Sequence, residues 1–530
     1  MSINYKALIL IMALSMSSYV AMADDAQLQH EIQLLQQQTL ALQTQLDHLQ
    51  KKLVKQSVVK KPIKKSVVHN VKRKKTPKAS VKRKDGNLHS SLVSVKSING
   101  HPESVEYNPV ALMADGHVVT YIAGTPVVTA PYLGARPAFD GSDYIVNISS
   151  INRDVRLMEQ RRRLYEAYDR MGYPRPTSPI VALSGKAEPI GSWNRDPIGA
   201  SSGDWTLGSS ELDAAAAVND KVEAYIALAY DESPPSIGGA RVSNSGFNLN
   251  LGFVNIGDLD ESPYYFTAGQ LYVPFGRFSS AMISAPLTMR VARTKTRPVI
   301  LGYKSQQDFG PFAATYAYKS DTTLGNSAVG GLNLGYVFKT GTTSGEIGGS
   351  LISSMDDSGG MQYTGSPTGT TFAGFSSRAN GSELVHKVAG AGIHAILGFD
   401  RYSLTAEWVT SVGRFHEQDL SFNGKGAQPQ AVQLEGGMTF MMFDKPSSIG
   451  AAYQWSKDTL ALNLPEHRVS GVFNLSIWKD TVESIEYRHD INYGVTEFAN
   501  GAAPAGFANV NTIGAGGSTD TLLAQIGVYF

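Results

Sequence analysis

From about Ile180 to Phe530, hydrophobic and polar residues alternate with a period of two, the signature of strands with one face toward an apolar medium and one toward a polar one. Val222, Ala224, Ile226, Leu228 and Tyr230 oppose Lys221, Glu223 and Tyr225. Tyr402, Leu404, Ala406 and Trp408 oppose Ser403, Thr405 and Glu407, and Val469, Gly471, Phe473, Leu475 and Ile477 oppose Arg468, Ser470, Asn474 and Ser476. Sixteen such runs start near 181, 209, 221, 244, 264, 296, 312, 329, 344, 387, 402, 432, 447, 466, 481 and 520. Connections alternate in length. Tight turns are expected at Asn219-Asp220, Phe399-Asp400, Asp444-Lys445 and Lys479-Asp480, and long loops at 193–208, 355–386, 413–431 and 491–519. This is the short-turn, long-loop pattern of a transmembrane barrel, and an even strand count puts both barrel ends on one side. Roughly 350 residues suit sixteen strands of about 10 and are too few for a barrel of about 22. In the last run Leu522, Ala524, Ile526, Val528 and Phe530 share a face, and a terminal aromatic resembles the signal read by the outer-membrane assembly machinery.

A second periodicity precedes the barrel. Leu28, Ile32, Leu35, Thr39, Leu42, Leu46, Leu49 and Leu53 follow at steps of four and three, a heptad seam with one polar interruption. Such a helix cannot bury its stripe alone, so residues 24–56 imply self-association or docking, the alternative being a lone amphipathic helix beneath the barrel. Residues 57–85 read as a basic, disordered tether. In 86–179, strand-like runs at Val118–Ala123 and Pro126–Ala130 precede a helix of about 150–171 capped by Ser149 or Ser150. Its stripe of Ile151, Val155, Met158, Tyr165 and Tyr168 faces something apolar, with Arg153, Arg156, Arg161, Arg162, Arg163 and Arg170 around it. A plug, a lid and a periplasmic collar all fit. The fold class expected is an all-β transmembrane barrel of about 16 antiparallel strands, with an N-terminal periplasmic coiled-coil helix and a small mixed α/β region.

Composition agrees. Lys6, the apolar run Ala7–Met16 and Ala21-Met22-Ala23 make residues 1–23 a signal peptide, and that run is shorter than the ~20 residues a membrane helix needs. The absence of cysteine excludes a lipoprotein anchor, disulfides and thiolate chemistry. The 52 glycines, 24 tyrosines and 18% charged residues match outer-membrane barrels, although a secreted β-sandwich array shares such usage. The formal charge of +1 conceals an asymmetry: residues 51–84 carry 15 basic and no acidic side chains, whereas 85–530 carry 31 basic against 42 acidic, a net of −11. An exported chain leaves nucleic acid aside as a partner. Lipid headgroups and peptidoglycan are the anions within the tether's reach, and a plain solvated spacer fits equally.

No catalytic constellation stands out. His386, His394, His416, His467 and His489 lack metal-ligand spacing, and no Ser/His signature suggests a barrel hydrolase, so the expectation is no enzyme and no bound metal. The candidate binding residues lie between the fifth and sixth strands, by count the third long loop. There Arg277, Arg290, Arg293, Lys295 and Arg297 form a candidate constriction favouring anions. Against this, Arg293, Lys295 and Arg297 share parity with Val299, Leu301 and Tyr303, which suits an outer loop facing lipopolysaccharide phosphates. Glu486, Arg488 and Asp490 alternate in sign on one face, a lumenal ladder joined by Glu407 and Arg468.

The signal peptide, Gln-rich heptad helix and basic tether combine with Thr125-Pro126-Val127-Val128-Thr129-Ala130-Pro131-Tyr132-Leu133 and Phe139-Asp140-Gly141-Ser142-Asp143-Tyr144 ahead of a sixteen-strand barrel. Together they resemble the legiobactin-receptor type of TonB-independent outer-membrane siderophore receptor. That resemblance implies import of a ferric siderophore of the polycarboxylate class, without a resident cofactor, and one relative is associated with ferrous iron. A general or anion-selective porin and a tether between outer membrane and cell wall are the rival expectations.

Overall fold

The computed structural model describes residues 118–122, 125–129, 139–140, 145–146, 151–170 and 180–530, the last without 198, 232–245, 308, 321, 324–325, 341–342, 363–384, 418, 479–480 and 500–512. The signal segment, the heptad seam and the basic tether lie outside the described residues.

Sixteen strands form the barrel among the described residues. They are β1 (Ile180–Ala187 and Ile190–Arg195), β2 (Ser201–Thr206 and Glu211–Ala217), β3 (Val222–Asp231), β4 (Gly246–Ile256), β5 (Tyr264–Tyr272), β6 (Lys295–Thr296 and Val299–Lys304), β7 (Gly310–Lys319) and β8 (Ala328–Thr340). They continue as β9 (Thr343–Ile352), β10 (Gly390–Phe399), β11 (Tyr402–Ser411), β12 (Gln430–Met442), β13 (Lys445–Lys457), β14 (His467–Leu475), β15 (Thr481–Ile491) and β16 (Ser518–Tyr529). Each pairs antiparallel with its neighbours in sequence, and β16 pairs with β1, which closes the sheet. Phe530 completes the seam by exchanging both backbone hydrogen bonds with Gly185.

The alternation of the sequence is the alternation of the wall. Ile226, Leu301, Ile347, Ile393, Leu434, Val469, Ile485 and Leu522 are exposed on the outside, while Asn255, Thr267, Gln433, Gln454 and Glu486 are completely buried on the inside. An apolar exterior around a polar interior is the inverse of a soluble fold and the requirement for a closed barrel in lipid. No helix among the described residues is long and apolar enough to cross a membrane.

One boundary differs from expectation. β2 begins at Ser201 rather than near 209, because Ser201–Thr206 is a polar, exposed strand that pairs with Ile190–Arg195 beyond the apolar belt and so carries no hydrophobic period. The first long loop thereby shrinks to 196–200. Both strands break where Pro189 can donate no hydrogen bond and Gly208 adopts φ 57°, its position so close that a Cβ would lie 2.0 Å from the Glu188 carbonyl oxygen. Tight turns close the other end. Phe443 and Asp444, both at positive φ, make the two-residue hairpin from β12 to β13.

Two further elements lie against the inner wall and β1. Helix α1 (Arg153–Arg170) enters the lumen. A hairpin of Val118–Ile122 and Thr125–Thr129 lays its second strand parallel to Val181–Leu183, covering the edge of β1 past the end of β16.

Candidate functional site

The connection from β5 to β6 folds into the barrel, and its sequence shows how. In Val273-Pro274-Phe275-Gly276-Arg277-Phe278, the rings of Phe275 and Phe278 are buried, and Gly276 at φ 71° lets the Phe278 ring approach where a Cβ would clash. The turn aims backbone N–H groups at the wall. Gly276 donates to Ser350 Oγ at 2.9 Å, and Arg277 and Phe278 donate to the Glu407 carboxylate at 2.5 and 2.9 Å. Further along, Ala281 N and Ser280 Oγ donate to Glu435 at 2.5 and 2.7 Å, Ser284 donates from both N and Oγ to Glu486, and Leu287 N donates to Gln454 Oε1 at 2.7 Å. Arg468 donates to the Ala285 carbonyl at 3.3 Å. Three carboxylates from β11, β12 and β15 therefore hold the loop across the lumen by charge-assisted bonds.

The loop then forms α2 (Leu287–Ala292), with Leu287, Val291 and Ala292 in the core. A short helix of the β9–β10 connection, α3 (Gly359–Gln362), packs against it, with Ser358 Oγ donating to Val291 O at 2.9 Å and Gly359 N to Arg293 O at 3.0 Å.

Arginines gather beside this loop. Arg468 grips Asp490 through two bonds of 2.7 and 3.1 Å, Arg488 reaches the same carboxylate at 3.1 Å, and Arg290 on α2 lies within electrostatic range of Arg488. Glu486 also lies within electrostatic range of Arg488, so guanidinium and carboxylate groups are interleaved here.

From the tight-turn end, α1 occupies the opposite side of the lumen. Arg153 donates to the Tyr225 hydroxyl at 2.6 Å, and that hydroxyl donates to Asp213 at 2.5 Å. Arg161 pairs with Glu223 at 3.4 Å and donates to Gly257 O at 2.6 Å; Thr267 Oγ1 donates to Asp154 at 3.0 Å; Lys304 pairs with Glu159 at 3.3 Å. The expectation that the helix stripe faces something apolar thus needs qualifying by what receives the arginines around it. Ile151 and Met158 of the stripe are buried, as is Leu157, but Arg153, Arg161 and Arg162 are buried too, because the surface receiving the helix is the polar inside of a barrel. Between α1 and the loop remains a small cavity, bounded by Arg156, Tyr265, Arg277, Phe312, Asn333 and Glu346 among others.

The five cations singled out in the sequence do not converge. Arg277 lies in the lumen, bound to Glu346 at 2.7 Å, whose other oxygen meets His394 Nε2 at 3.0 Å. Arg290 is exposed on α2. Arg293 sits 4.5 Å over the Tyr272 ring, Lys295 donates to Asn250 at 3.0 Å, and Arg297 donates to Gln270 at 3.3 Å, the latter two in the strand row of exposed Val299 and Leu301. Glu346 and Glu435 were not singled out, although both stand at inward positions of strands whose phase was readable.

Comparison with known proteins bears on the family. The chain is 66% identical to a UPF0422 protein of Legionella pneumophila over 445 residues, 83% of this chain and 84% of that one. The chain belongs to the UPF0422 family. A UPF0422 protein of Coxiella burnetii is 35% identical over 406 residues, 76% of this chain and 83% of its own. No family model matches the chain. Among solved structures, an anion-selective porin from Comamonas acidovorans aligns with TM-score 0.43 and 13% identity, covering 67% of this chain and all of the porin. The outer-membrane channel DcaP of Acinetobacter baumannii aligns with TM-score 0.41 and 13% identity, covering 67% and 98%.

Proposed function

We propose that this UPF0422 protein is a narrow outer-membrane channel with preference for anionic solutes, and that its cargo is a ferric polycarboxylate siderophore taken up without TonB coupling. The observation that carries the channel reading is the loop fastened across the lumen by Glu407, Glu435 and Glu486 beside Arg290, Arg468 and Arg488. A sixteen-strand barrel is wide enough for an aqueous path, and a lumenal loop lying beside a cluster of guanidinium groups selects by size and by charge. The carboxylate-rich surface of a polycarboxylate complex suits arginine forks. The cargo rests on the resemblance of the N-terminal motifs, and the outer-membrane location on the barrel together with the signal peptide.

Planar-bilayer reversal potentials in a salt gradient test the channel. Anion selectivity is expected for the native protein, shifting toward cations in an Arg290→Gln, Arg468→Gln, Arg488→Gln variant that leaves Asp490 without its partners. Cation selectivity in the native protein would overturn the anion reading. Saturable uptake of radio-iron as a ferric polycarboxylate tests the cargo, and its absence from an otherwise conducting barrel leaves the porin reading in place.

A further inference from the structure

Two of the five barrel-region histidines meet in the long-loop rim. His386 comes from the β9–β10 connection and His416 from the β11–β12 connection, thirty positions apart, and their ring centroids lie 5.1 Å apart with planes inclined by 30°. Behind His386 stands Asp419, one carboxylate oxygen accepting from the His386 backbone N at 3.0 Å and facing its Nδ1 at 2.8 Å. Backbone bonds from Asp419 N and Leu420 N to the His416 carbonyl, 2.9 and 3.0 Å, fix the turn that carries both residues.

We propose that His386 and His416 form a surface site for a divalent transition-metal ion of the zinc or copper(II) kind, with Asp419 orienting His386 from behind. An ionised carboxylate only accepts, so the proton of His386 is on Nδ1 and its lone pair is on Nε2, the arrangement in which a carboxylate, a histidine and a metal stand in line. The spacing fits. An imidazole nitrogen lies about 1.1 Å from its ring centroid and binds zinc at about 2.0–2.1 Å, so two imidazoles on one tetrahedral ion have centroids about 5.2 Å apart. Asp419 is nearly buried while His386 is more than half exposed, which places the support inside and the ligand face outside. The two histidines would supply two of the four ligands that zinc takes, no group of three or more His, Asp or Glu being arranged to hold a metal among the described residues. The site is independent of the lumen and of the channel reading.

Equilibrium dialysis of the full-length protein in detergent micelles against zinc chloride, with cobalt(II) absorption as a ligand-field probe, tests the site. The native protein is expected to bind zinc saturably and to lose that zinc on mild acidification as the imidazoles take protons. His386→Ala and His416→Ala should each weaken this binding at least tenfold, and the double variant should lack one equivalent. Asp419→Asn should weaken it roughly 10–100-fold, as loss of an outer-shell partner does. Heat-modifiable migration on gels, unchanged in all variants, confirms the barrel is intact. A double variant with undiminished zinc stoichiometry and affinity, or a cobalt spectrum identical in native and double-variant protein, would overturn the proposal, whatever the conductance shows.

Discussion

Asp356 shows how one buried carboxyl makes the rim of this barrel sensitive to pH. It follows β9 in the β9–β10 connection, where burial pushes its carboxyl up to about 7, with Asp357 and Asp419 adding repulsion against the relief given by the Ser354 hydroxyl. Its folded pKa lies above the unfolded value, so the folded rim binds the extra proton. The resulting stability is complete below about pH 4 and is lost as the pH rises through about 7. A shift of about three units corresponds to at most about 4 kcal/mol, reduced by whatever solvent reaches the group. Hydrogen exchange in residues 353–358 should therefore quicken between about pH 5 and pH 8 in the native protein. Asp356→Asn should flatten that dependence and slow exchange at the higher pH. Faster exchange in the variant at both pH values would contradict the burial argument. No feature of the sequence around Ser354-Met355-Asp356 announces this carboxyl, because its burial comes from segments supplied by other loops.

The elements inside the barrel extend the same contrast between what a period reveals and what it hides. Fifteen strand starts fall within a few residues of those read from alternation, since lipid outside and water or polar groups inside impose a strict two-residue rhythm. The inward folding of the third loop has no rhythm. It depends on backbone N–H groups meeting Glu407, Glu435 and Glu486, partners that lie 129 to 202 positions away. Likewise the sequence does not say what receives the arginines of α1, because the acidic groups near them, Asp213 and Glu223, belong to strands later in the chain. Replacing Glu407 and Glu435 by Gln keeps their shape and weakens several charge-assisted bonds, each worth ~1.5–3 kcal/mol. The expected result is a looser loop with larger, noisier single-channel conductance and an unchanged barrel. Arg161→Ala strands Glu223 in a buried site, at a cost of about 3–5 kcal/mol, and should free α1 from the wall, raising conductance and exposing the helix to protease. Unaltered conductance in both variants would show that neither element limits the path.

Closure of the barrel concentrates on a short seam. Phe530 supplies two backbone hydrogen bonds to Gly185 and packs its ring where a side chain on residue 185 would stand, while Tyr529 donates to Glu188, itself paired with Lys186 at 2.8 Å. Deleting Phe530 should reduce the heat-modifiable fraction in membranes and in detergent refolding alike; a defect confined to cells would assign its role to recognition by the assembly machinery alone. The seam was legible as a strand with a terminal aromatic, but its partner was not, since nothing in Ser184-Gly185-Lys186 distinguishes a first strand from any other. Tyr529 and Glu188 are 341 positions apart. Joining segments so distant costs about 5 kcal/mol of chain entropy by the logarithmic rule, and little of it is recovered before the ends meet. The helix and the lumenal loop must also be lodged against a wall that does not yet exist as a cylinder. Until then the chain is a sheet with two raw margins, open to pairing with strangers, and its history is a race between finding its own beginning and being found by someone else's edge.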